Sequence, residues 1–149
     1  DDSRTFMALA QKVRARYNET FYDASSGLYV DGEGSSHSSL HANVAALDFG
    51  LVPSDRLPKV VDFIAKRGMV CSPYFAQYYL EALCKYGRKD VARILMSSRG
   101  ERSWLGMIDQ GATMTMEAWS VNAKPNQDWN HAWGTAPLNI IARYFMGKR

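Results

Sequence analysis

Apolar residues recur at steps of three and four near the start of the chain, between Arg4 and Phe21. This period places them on one face of an amphipathic helix. The next stretch, DASSGLYVDGEGSSHSS at residues 23–39, is rich in glycine and serine around a short β-prone LYV. It predicts a long structured loop that contains one small strand or a β-hairpin. Because long loops in compact domains often have functions, this loop is a region of interest.

Four further helical runs follow, each ending at a glycine, and the first two begin at a serine cap. They occupy residues 38–50, 54–68, 72–87 and 88–100. Gly50, Gly68 and Gly87 stand 18 and 19 residues apart, which is the length of one helix plus one short turn. A last helix is predicted from Trp133 to Met146.

These helices alternate in character along the chain. Residues 38–50, 72–87 and 133–146 carry few charges, whereas 54–68 and 88–100 have a charged face and one apolar stripe. The first kind is typical of helices contacted on several sides, and the second of helices that face water. The pattern predicts an all-α fold of stacked helical hairpins in which inner and outer helices alternate. Six helices make three such hairpins.

The bulk composition is that of one globular domain over residues 1–149, with 46% hydrophobic and 22% charged residues. No apolar run approaches the roughly 20 residues of a membrane span. The 18 basic and 15 acidic residues are dispersed, so nucleic-acid binding is not predicted either. Cys71 and Cys84 lack CxxC spacing and are expected to be buried free thiols. The chain begins DDSRTF, without a signal pattern, and we interpret it as a piece of a longer polypeptide.

Most candidate catalytic and ligand-binding residues lie in GATMTMEAWSVNAKPNQDWNHAWG, residues 111–134. Glu117 lies there beside Trp119, and a carboxyl group near apolar aromatics loses hydration, which raises its pKa. A raised pKa would suit Glu117 for proton transfer near neutral pH. In the alternative interpretation, Glu117 caps the N-terminus of a helix.

All four tryptophans fall within thirty residues of each other: Trp104, Trp119, Trp129 and Trp133. Aromatic faces stack on the C–H face of sugars, so loop tryptophans near a carboxylate indicate a carbohydrate site. Trp104 and Trp129 lie in polar stretches and are the better ligand candidates. Trp133, on the apolar last helix, is expected in the core.

The three histidines are His37, His41 and His131. His131 could donate a hydrogen bond to a ligand hydroxyl, or it could cap a helix or be buried. His37 and His41 stand at i and i+4, but no glutamate follows His37 as in HExxH and no third ligand is evident. We therefore predict no metal site and no cofactor.

Several long motifs together resemble one enzyme family. They are GLYVDGEGSSHSSLHAN, FGLVP, KRGMVCSPYFAQYYLEAL, RSWLGMIDQGATMTMEAW and PNQDWNHAWGTAPLNII. In this order they resemble the C-terminal half of the catalytic domain of bacterial α-L-rhamnosidases of glycoside hydrolase family 78. The likeness extends from about Gly27 onward. It implies an (α/α)6 toroid of six helical hairpins, of which this chain would form about half.

The resemblance also implies site residues. Glu117 matches the general base that activates water, and His131 matches the histidine that binds rhamnose. Trp104 and Trp129 match the loops before and after the base, and His41 and Tyr74 are added at the predicted mouth ends of inner helices. The substrate-binding candidates are thus His131, Trp104, Trp129, His41 and Tyr74.

The implied reaction is a single displacement that inverts the configuration at the anomeric carbon and needs no metal. Two carboxyl groups about 6.5–9.5 Å apart flank the bond that is cleaved. The family's acid-bearing motif, rich in aspartate and arginine, has no counterpart here. Asp23, Asp31 and Glu33 lack its flanking pattern. The isolated chain is therefore expected to be inactive, although its parent enzyme would hydrolyse rhamnosides.

Two alternatives remain open from the sequence. One is a related toroid that acts on another glycoside, and the other is a non-catalytic helical domain that binds carbohydrate or serves as a scaffold. The expected partners are a rhamnose-containing carbohydrate and either the remainder of the parent chain or a second copy. The remainder of the parent chain or a second copy would cover the apolar edges that an incomplete ring of hairpins exposes. The resemblance favours a periplasmic or secreted location.

Overall fold

The computed structural model describes residues 2–147, which are mostly helical with one small antiparallel β-hairpin. The α-helices are α1 (Asp2–Phe21), α2 (Leu40–Asp48), α3 (Leu57–Ala65), α4 (Ala76–Lys85), α5 (Lys89–Met96), α6 (Trp104–Asp109) and α7 (Ala136–Ile140). A 3-10 turn at Ala132–Gly134 precedes α7, and a π-helical turn at Ile141–Phe145 follows it. Strands β1 (Tyr22–Asp23) and β2 (Leu28–Tyr29) form the hairpin. The predicted helical class with a small β-hairpin is confirmed.

The chain divides into two compact units, one ending at Phe63 and the other beginning at Ile64. The first contains α1, the hairpin, α2 and most of α3. The second contains α4 to α7 and the segment between α6 and α7. The single domain expected over residues 1–149 stays a prediction.

In the first unit, the turn between β1 and β2 is organised by Asp23. Its carboxylate accepts hydrogen bonds from the backbone N–H of Ser25 at 2.9 Å and of Ser26 at 3.2 Å. Hydrogen bonds from these two serines lower the pKa of Asp23 to about 2. The strands then pair Tyr22 with Tyr29 and Asp23 with Leu28. The Gly- and Ser-rich sequence thus forms an ordered turn, as its composition predicted.

The side chain of Asn43, on α2, fixes β2 to that helix. Its amide accepts from the N–H of Tyr29 and donates to the carbonyl of Tyr29, both at 2.9 Å. Asn43 is fully buried, and a buried amide is tolerated only when its polar atoms are paired. This bidentate bond satisfies Asn43 and the backbone of β2 at once.

Helix α1 buries none of its side chains. Its apolar positions Phe6, Leu9 and Val13 are all exposed, although their spacing is that of one helix face. The expectation that a partner or a second copy covers such apolar surface stays a prediction.

Helix ends agree with the sequence patterns at most boundaries. Gly50, Gly68 and Gly87 have φ of 63°, 69° and 81°, a left-handed conformation that glycine adopts without steric cost. Ser39 caps α2 by accepting from the N–H of Ala42 at 3.1 Å. These glycine-terminated helices and the serine cap are confirmed.

Two boundaries differ from the prediction. Helix α5 ends at Met96 instead of Gly100. The two serines that follow it make local hydrogen bonds, Ser97 to the Arg93 carbonyl at 2.9 Å and Ser98 from the N–H of Gly100 at 3.2 Å, and such bonds offer the backbone an alternative to the helix. A short helix, α6, also occupies residues predicted as a loop. Its cap was present in the sequence, since Ser103 accepts from the N–H of Gly106 at 3.0 Å.

Helix α4 provides the core of the second unit. Six of its ten residues are buried, whereas α5 buries only Ala92 and Leu95. This difference follows the predicted alternation of inner and outer helices. The buried Tyr79 donates its hydroxyl to the Ile64 carbonyl at 2.7 Å, so the ring fills the core without an unpaired oxygen. Cys71 and Cys84 are free and buried, as predicted.

The predicted last helix, Trp133 to Met146, is interrupted. A 3-10 turn ends at Gly134, and α7 starts afresh with Pro137 in its first turn. Proline has no N–H to continue a preceding helix, but it is well suited to begin one. Trp133 consequently lies outside α7 and is 67% exposed, so the expectation that it belongs to the core is wrong.

No helix within residues 2–147 is long and apolar enough to cross a membrane. The same residues contain no group of three or more His, Cys, Asp or Glu side chains that could hold a metal ion.

Candidate active site

Two irregular stretches lie side by side between α6 and α7. The N–H of Glu117 donates to the Asp128 carbonyl at 2.9 Å, and the N–H of His131 donates to the Thr115 carbonyl at 2.8 Å. The Thr115 hydroxyl donates in return to the His131 carbonyl at 2.6 Å. Because the first stretch pairs with the second, Glu117 and His131 lie on neighbouring backbones although fourteen positions separate them in sequence.

A compact turn joins the two stretches. The Ser120 carbonyl accepts from the N–H groups of Ala123 at 3.1 Å and Lys124 at 3.2 Å. The amide oxygen of the buried Gln127 accepts from the N–H of Ala118 at 2.9 Å, and this bond joins the two ends of the turn. These local bonds, favoured by Ser, Asn and Pro in SVNAKPNQ, bring Lys124 back toward Glu117.

Two buried tryptophans anchor this segment. The indole N–H of Trp104 donates to the Gly134 carbonyl at 2.6 Å, and that of Trp119 donates to the Cys71 carbonyl at 2.6 Å. The two rings meet edge to face, with centroids 4.9 Å apart. Such pairs combine apolar burial with a satisfied N–H, so they fix the segment firmly against the rest of the second unit.

The close pairing also requires glycine at position 134. A Cβ atom there would lie 2.9 Å from the Cβ of Thr115 and 3.2 Å from the Met116 carbonyl oxygen. Both contacts are shorter than ordinary van der Waals separations. Gly134 therefore permits the chain after His131 to pass directly over the stretch that leads to Glu117.

The carboxylate of Glu117 has two hydrogen-bond donors. Lys124 Nζ lies 2.5 Å from Oε1, and the N–H of Asp128 lies 3.2 Å from Oε2. The bond from Lys124, followed by the bond from the Asp128 backbone, lowers the pKa of Glu117 below its ordinary value. Its side chain is 32% exposed, so the ionised oxygens remain in contact with solvent.

The expected raised pKa of Glu117 is therefore wrong. The expectation depended on Trp119 packing over the carboxyl group, but that indole is buried with its N–H on Cys71. Lys124 lies beside the carboxylate instead. The tertiary arrangement replaces an apolar neighbour with a cation, and a cation favours the charged form.

Replacing Lys124 with Met is expected to raise the pKa of Glu117 toward the ordinary glutamate value of about 4.3. The Asp128 N–H remains, so a part of the lowering should persist. Carboxyl carbon NMR titration of the chain measures this pKa directly. Since the folded state favours the carboxylate, the pair stabilises the turn above that ordinary pKa, and the stabilisation is lost as the pH falls through the lowered pKa.

The matched control is Lys85→Met, because Lys85 pairs with Glu81 at 3.3 Å and not with Glu117. It should leave the titration of Glu117 unchanged. An identical titration curve for Glu117 in the Lys124 variant and the wild type would show that Lys124 does not control the carboxylate.

His131 lies at the start of the 3-10 turn and is partly buried. Its Nδ1 lies 3.7 Å from the Asp128 carboxylate, and its ring meets that of Trp133 edge to face at 5.6 Å. Its Nε2 makes no hydrogen bond to any residue from 2 to 147. The imidazole therefore has one nitrogen available to a ligand hydroxyl.

The remaining predicted site residues of the second unit occupy different environments. Trp129 lies in the turn between Asp128 and Asn130 and is 42% exposed. Tyr74 lies just before α4, is 50% exposed, and contacts the Trp133 ring at 5.2 Å. The structure thus brings His131, Trp133 and Tyr74 into one row of aromatic rings.

Trp104 differs from its predicted environment. It begins α6 and is buried, so its assignment to a polar loop is wrong. The reason is the serine cap at Ser103 and the carbonyl of Gly134, which together fold this stretch inward. Trp104 still borders a cavity of about 320 Å³, together with Met107 and Thr115, and its contact with substrate stays a prediction.

His41 lies on α2 in the first unit and is exposed. His37 precedes that helix and its Nδ1 lies 2.5 Å from the Asp31 carboxylate. The two histidines therefore do not share one helix face, and the spacing of i and i+4 has no structural meaning here. The role of His41 in binding substrate stays a prediction.

Sequence reasoning missed Lys124, Thr115 and Gln127. Each acts through a partner on the opposite stretch, and such pairing has no short-range pattern in the sequence. The Pro and Asn residues of KPNQ are typical of a turn, and this composition is the signal that could have suggested a contact between Lys124 and Glu117.

Comparisons with known proteins identify the family and the fold of the chain. Residues 1–145 match the family described as the bacterial alpha-L-rhamnosidase 6 hairpin glycosidase domain. No curated protein is significantly similar to the chain.

Solved structures that share its fold include two rhamnosidases. The alpha-L-rhamnosidase from Dictyoglumus thermophilum is 24% identical over 95% of this chain, with a TM-score of 0.76. The GH78 family rhamnosidase of Bacillus sp. GL1 is 25% identical over 97%, with a TM-score of 0.72. The chain spans 16% of the length of each. The fold class expected from the resemblance is confirmed, and the chain belongs to the bacterial α-L-rhamnosidase six-hairpin glycosidase domain family.

Proposed function

We propose that this chain is part of an inverting α-L-rhamnosidase and that Glu117 is its general base. The observation that carries the proposal is the state of Glu117. It is a solvent-accessible carboxylate with a lowered pKa, held on a braced turn beside the stretch that carries His131. Family membership supplies the reaction class.

A general base must be deprotonated when the substrate binds. Because the pKa of Glu117 lies below the ordinary glutamate value, the side chain is ionised at neutral pH. Each carboxylate oxygen accepts one bond within the described chain, from Lys124 or from the Asp128 N–H, and keeps a second lone pair. That lone pair can accept a proton from a water molecule.

The ion pair with Lys124 has a further consequence for the base. A lowered pKa weakens proton affinity, but Lys124 holds the carboxylate in one orientation, and orientation contributes strongly to catalysis. Since proton transfer to Glu117 would leave Lys124 without its anionic partner, release of the proton to solvent should be favourable.

His131 is proposed to bind the rhamnose. Its Nε2 has no partner within residues 2–147, and its backbone is fixed on both sides by Thr115. An imidazole held in this way offers a directed hydrogen bond at little entropic cost. The exposed indole of Trp129, two residues earlier, is proposed to form part of the same wall.

In the proposed reaction, water attacks the anomeric carbon as Glu117 takes its proton. A carboxylic acid donates a proton to the departing glycosidic oxygen from the other face. One displacement inverts the configuration at the anomeric carbon. No residue of this chain matches the family's acid motif, so we propose that residues 1–149 alone do not catalyse hydrolysis.

The test is to follow hydrolysis of an aryl α-L-rhamnoside by proton NMR, with the isolated chain and with the longer enzyme of which we propose it is a part. The longer enzyme should release β-L-rhamnose first, because inversion converts the α-linkage to the β-anomer. Initial release of the α-anomer would contradict the single displacement. Turnover by the isolated chain would show that it contains its own acid.

A non-catalytic carbohydrate-binding domain is the second candidate. The bond of 2.5 Å between Lys124 and Glu117 is compatible with it, because a purely structural ion pair would have the same geometry. Only the rhamnosidase needs Glu117 as a general base, so substitution of Glu117 distinguishes the two candidate functions.

A further inference from the structure

A groove of about 330 Å³ lies next to the candidate site, within the second unit. Tyr74 and Gln77 border it from the start of α4, and Trp133, Thr135 and Asn139 border it from the 3-10 turn and α7. Helix α4 packs against α7, so the two walls are held by the core of the unit. Its volume falls within the range of small-ligand sites.

The groove combines two aromatic faces with unpaired polar groups. The Tyr74 and Trp133 rings lie 5.2 Å apart at an angle of 37°, and both are at least half exposed. The Trp133 indole N–H, the Tyr74 hydroxyl and the Asn139 amide form no hydrogen bond to any residue from 2 to 147. Trp133 differs in this respect from Trp104 and Trp119, whose indole N–H groups both donate to backbone carbonyls.

Acceptors are present as well. Gln77 uses its Nε2 to donate to Glu81 at 3.2 Å, which leaves its carbonyl oxygen available. The Thr135 hydroxyl donates to the Ala132 carbonyl at 2.6 Å, so its oxygen can still accept. The groove therefore offers donors and acceptors around an aromatic surface.

We propose that this groove is a second sugar subsite, which binds the pyranose ring that carries the rhamnose. The inference rests on the proposed function, since it assigns the rhamnose to His131. The Trp133 ring contacts both His131, at 5.6 Å, and Tyr74, at 5.2 Å, so the groove is continuous with the rhamnose-binding residue. The substrate is then a rhamnosyl disaccharide or a longer glycan and not a rhamnoside of a simple alcohol.

The chemistry of the walls favours a pyranose over a flat aryl group. A pyranose has an apolar C–H face that stacks on Trp133 or Tyr74 and hydroxyls that pair with Asn139, Gln77 and Thr135. A planar aryl group would stack but leave those polar groups unpaired, and unpaired groups in a filled site cost affinity.

The test compares kcat/KM of the longer enzyme for two substrates, a rhamnosyl-glucose disaccharide and para-nitrophenyl α-L-rhamnoside. Trp133→Ala removes a ring on which both substrates can stack, so it should lower kcat/KM for both. The disaccharide-to-aryl ratio should fall severalfold, because only the disaccharide also loses the hydrogen bond from the indole N–H. Asn139→Ala, which removes an exposed amide and leaves the core intact, should lower the ratio severalfold.

The matched control is Leu138→Ala, because Leu138 is exposed on the same helix but does not border the groove. It should leave the ratio unchanged. If neither the Trp133 nor the Asn139 variant changes the ratio while the aryl rhamnoside is still hydrolysed, the subsite is refuted and the proposed function stands. If the wild type hydrolyses no α-L-rhamnoside, the proposed function fails and the subsite fails with it.

Discussion

Glu117→Gln should reduce kcat for hydrolysis of an aryl α-L-rhamnoside by about 10²–10⁴-fold, the usual contribution of a general base. Glutamine has nearly the same volume and can still accept from the Asp128 N–H through its amide oxygen. It cannot take a proton from water. KM should change little, because the substitution removes a transition-state interaction and leaves His131 and the aromatic walls in place. The measurement is steady-state kinetics of the longer enzyme.

Azide separates a base from a structural role for Glu117. Azide is a nucleophilic anion and attacks the anomeric carbon without losing a proton, so it should restore turnover in the Glu117 variant. The product should be the rhamnosyl azide of inverted configuration. Glu101→Gln, an exposed carboxylate of the same unit, is the control and should retain full activity. An undiminished rate in Glu117→Gln would remove Glu117 from the mechanism and favour the non-catalytic domain.

Trp119→Ala should lower the free energy of unfolding by about 3–5 kcal/mol, the range for truncation of a large buried aromatic side chain. The ring is buried against Trp104, and its N–H is the partner of the Cys71 carbonyl. Since this indole also holds the stretch that carries Glu117, activity of the longer enzyme should fall with stability. Urea unfolding of the chain, followed by circular dichroism, measures the change.

Two other variants test the reason for that loss. Trp119→Phe keeps an apolar ring but leaves the Cys71 carbonyl unpaired, so it should cost about 1–3 kcal/mol. Trp133→Ala removes the same residue type from an exposed position of the same segment and should cost less than about 1 kcal/mol. Equal losses for the Trp119 and Trp133 alanine variants would mean that the bond to Cys71 and the burial have no special role.

The helices were predictable because their signals are local. Gly50, Gly68 and Gly87 end helices by adopting a left-handed conformation, a property of the residue itself. Burial within α4 and the exposed face of α5 followed from the spacing of charges. The interruption before α7 was predictable in principle from Pro137, but the apolar character of the last segment obscured it.

The candidate site was predictable only in part. Long motifs singled out Glu117 and His131 as site residues, and their roles stay a prediction. The environments of the tryptophans were exchanged, since Trp104 is buried and Trp133 is exposed. An indole becomes buried where a carbonyl is available to its N–H, and the carbonyl of Gly134 reaches Trp104 only after the chain has reversed.

The sequence by itself determined the helical class, the positions of most helix ends, the family, and which carboxylate and imidazole to consider. All of these depend on residue type and on spacing of a few positions. Only the tertiary structure decided the direction in which the pKa of Glu117 shifts and the neighbours of His131. Electrostatic and ring contacts act over a few ångströms in space. Lys124 reaches Glu117, and Trp133 reaches His131 and Tyr74, only when the turn and the helices have packed.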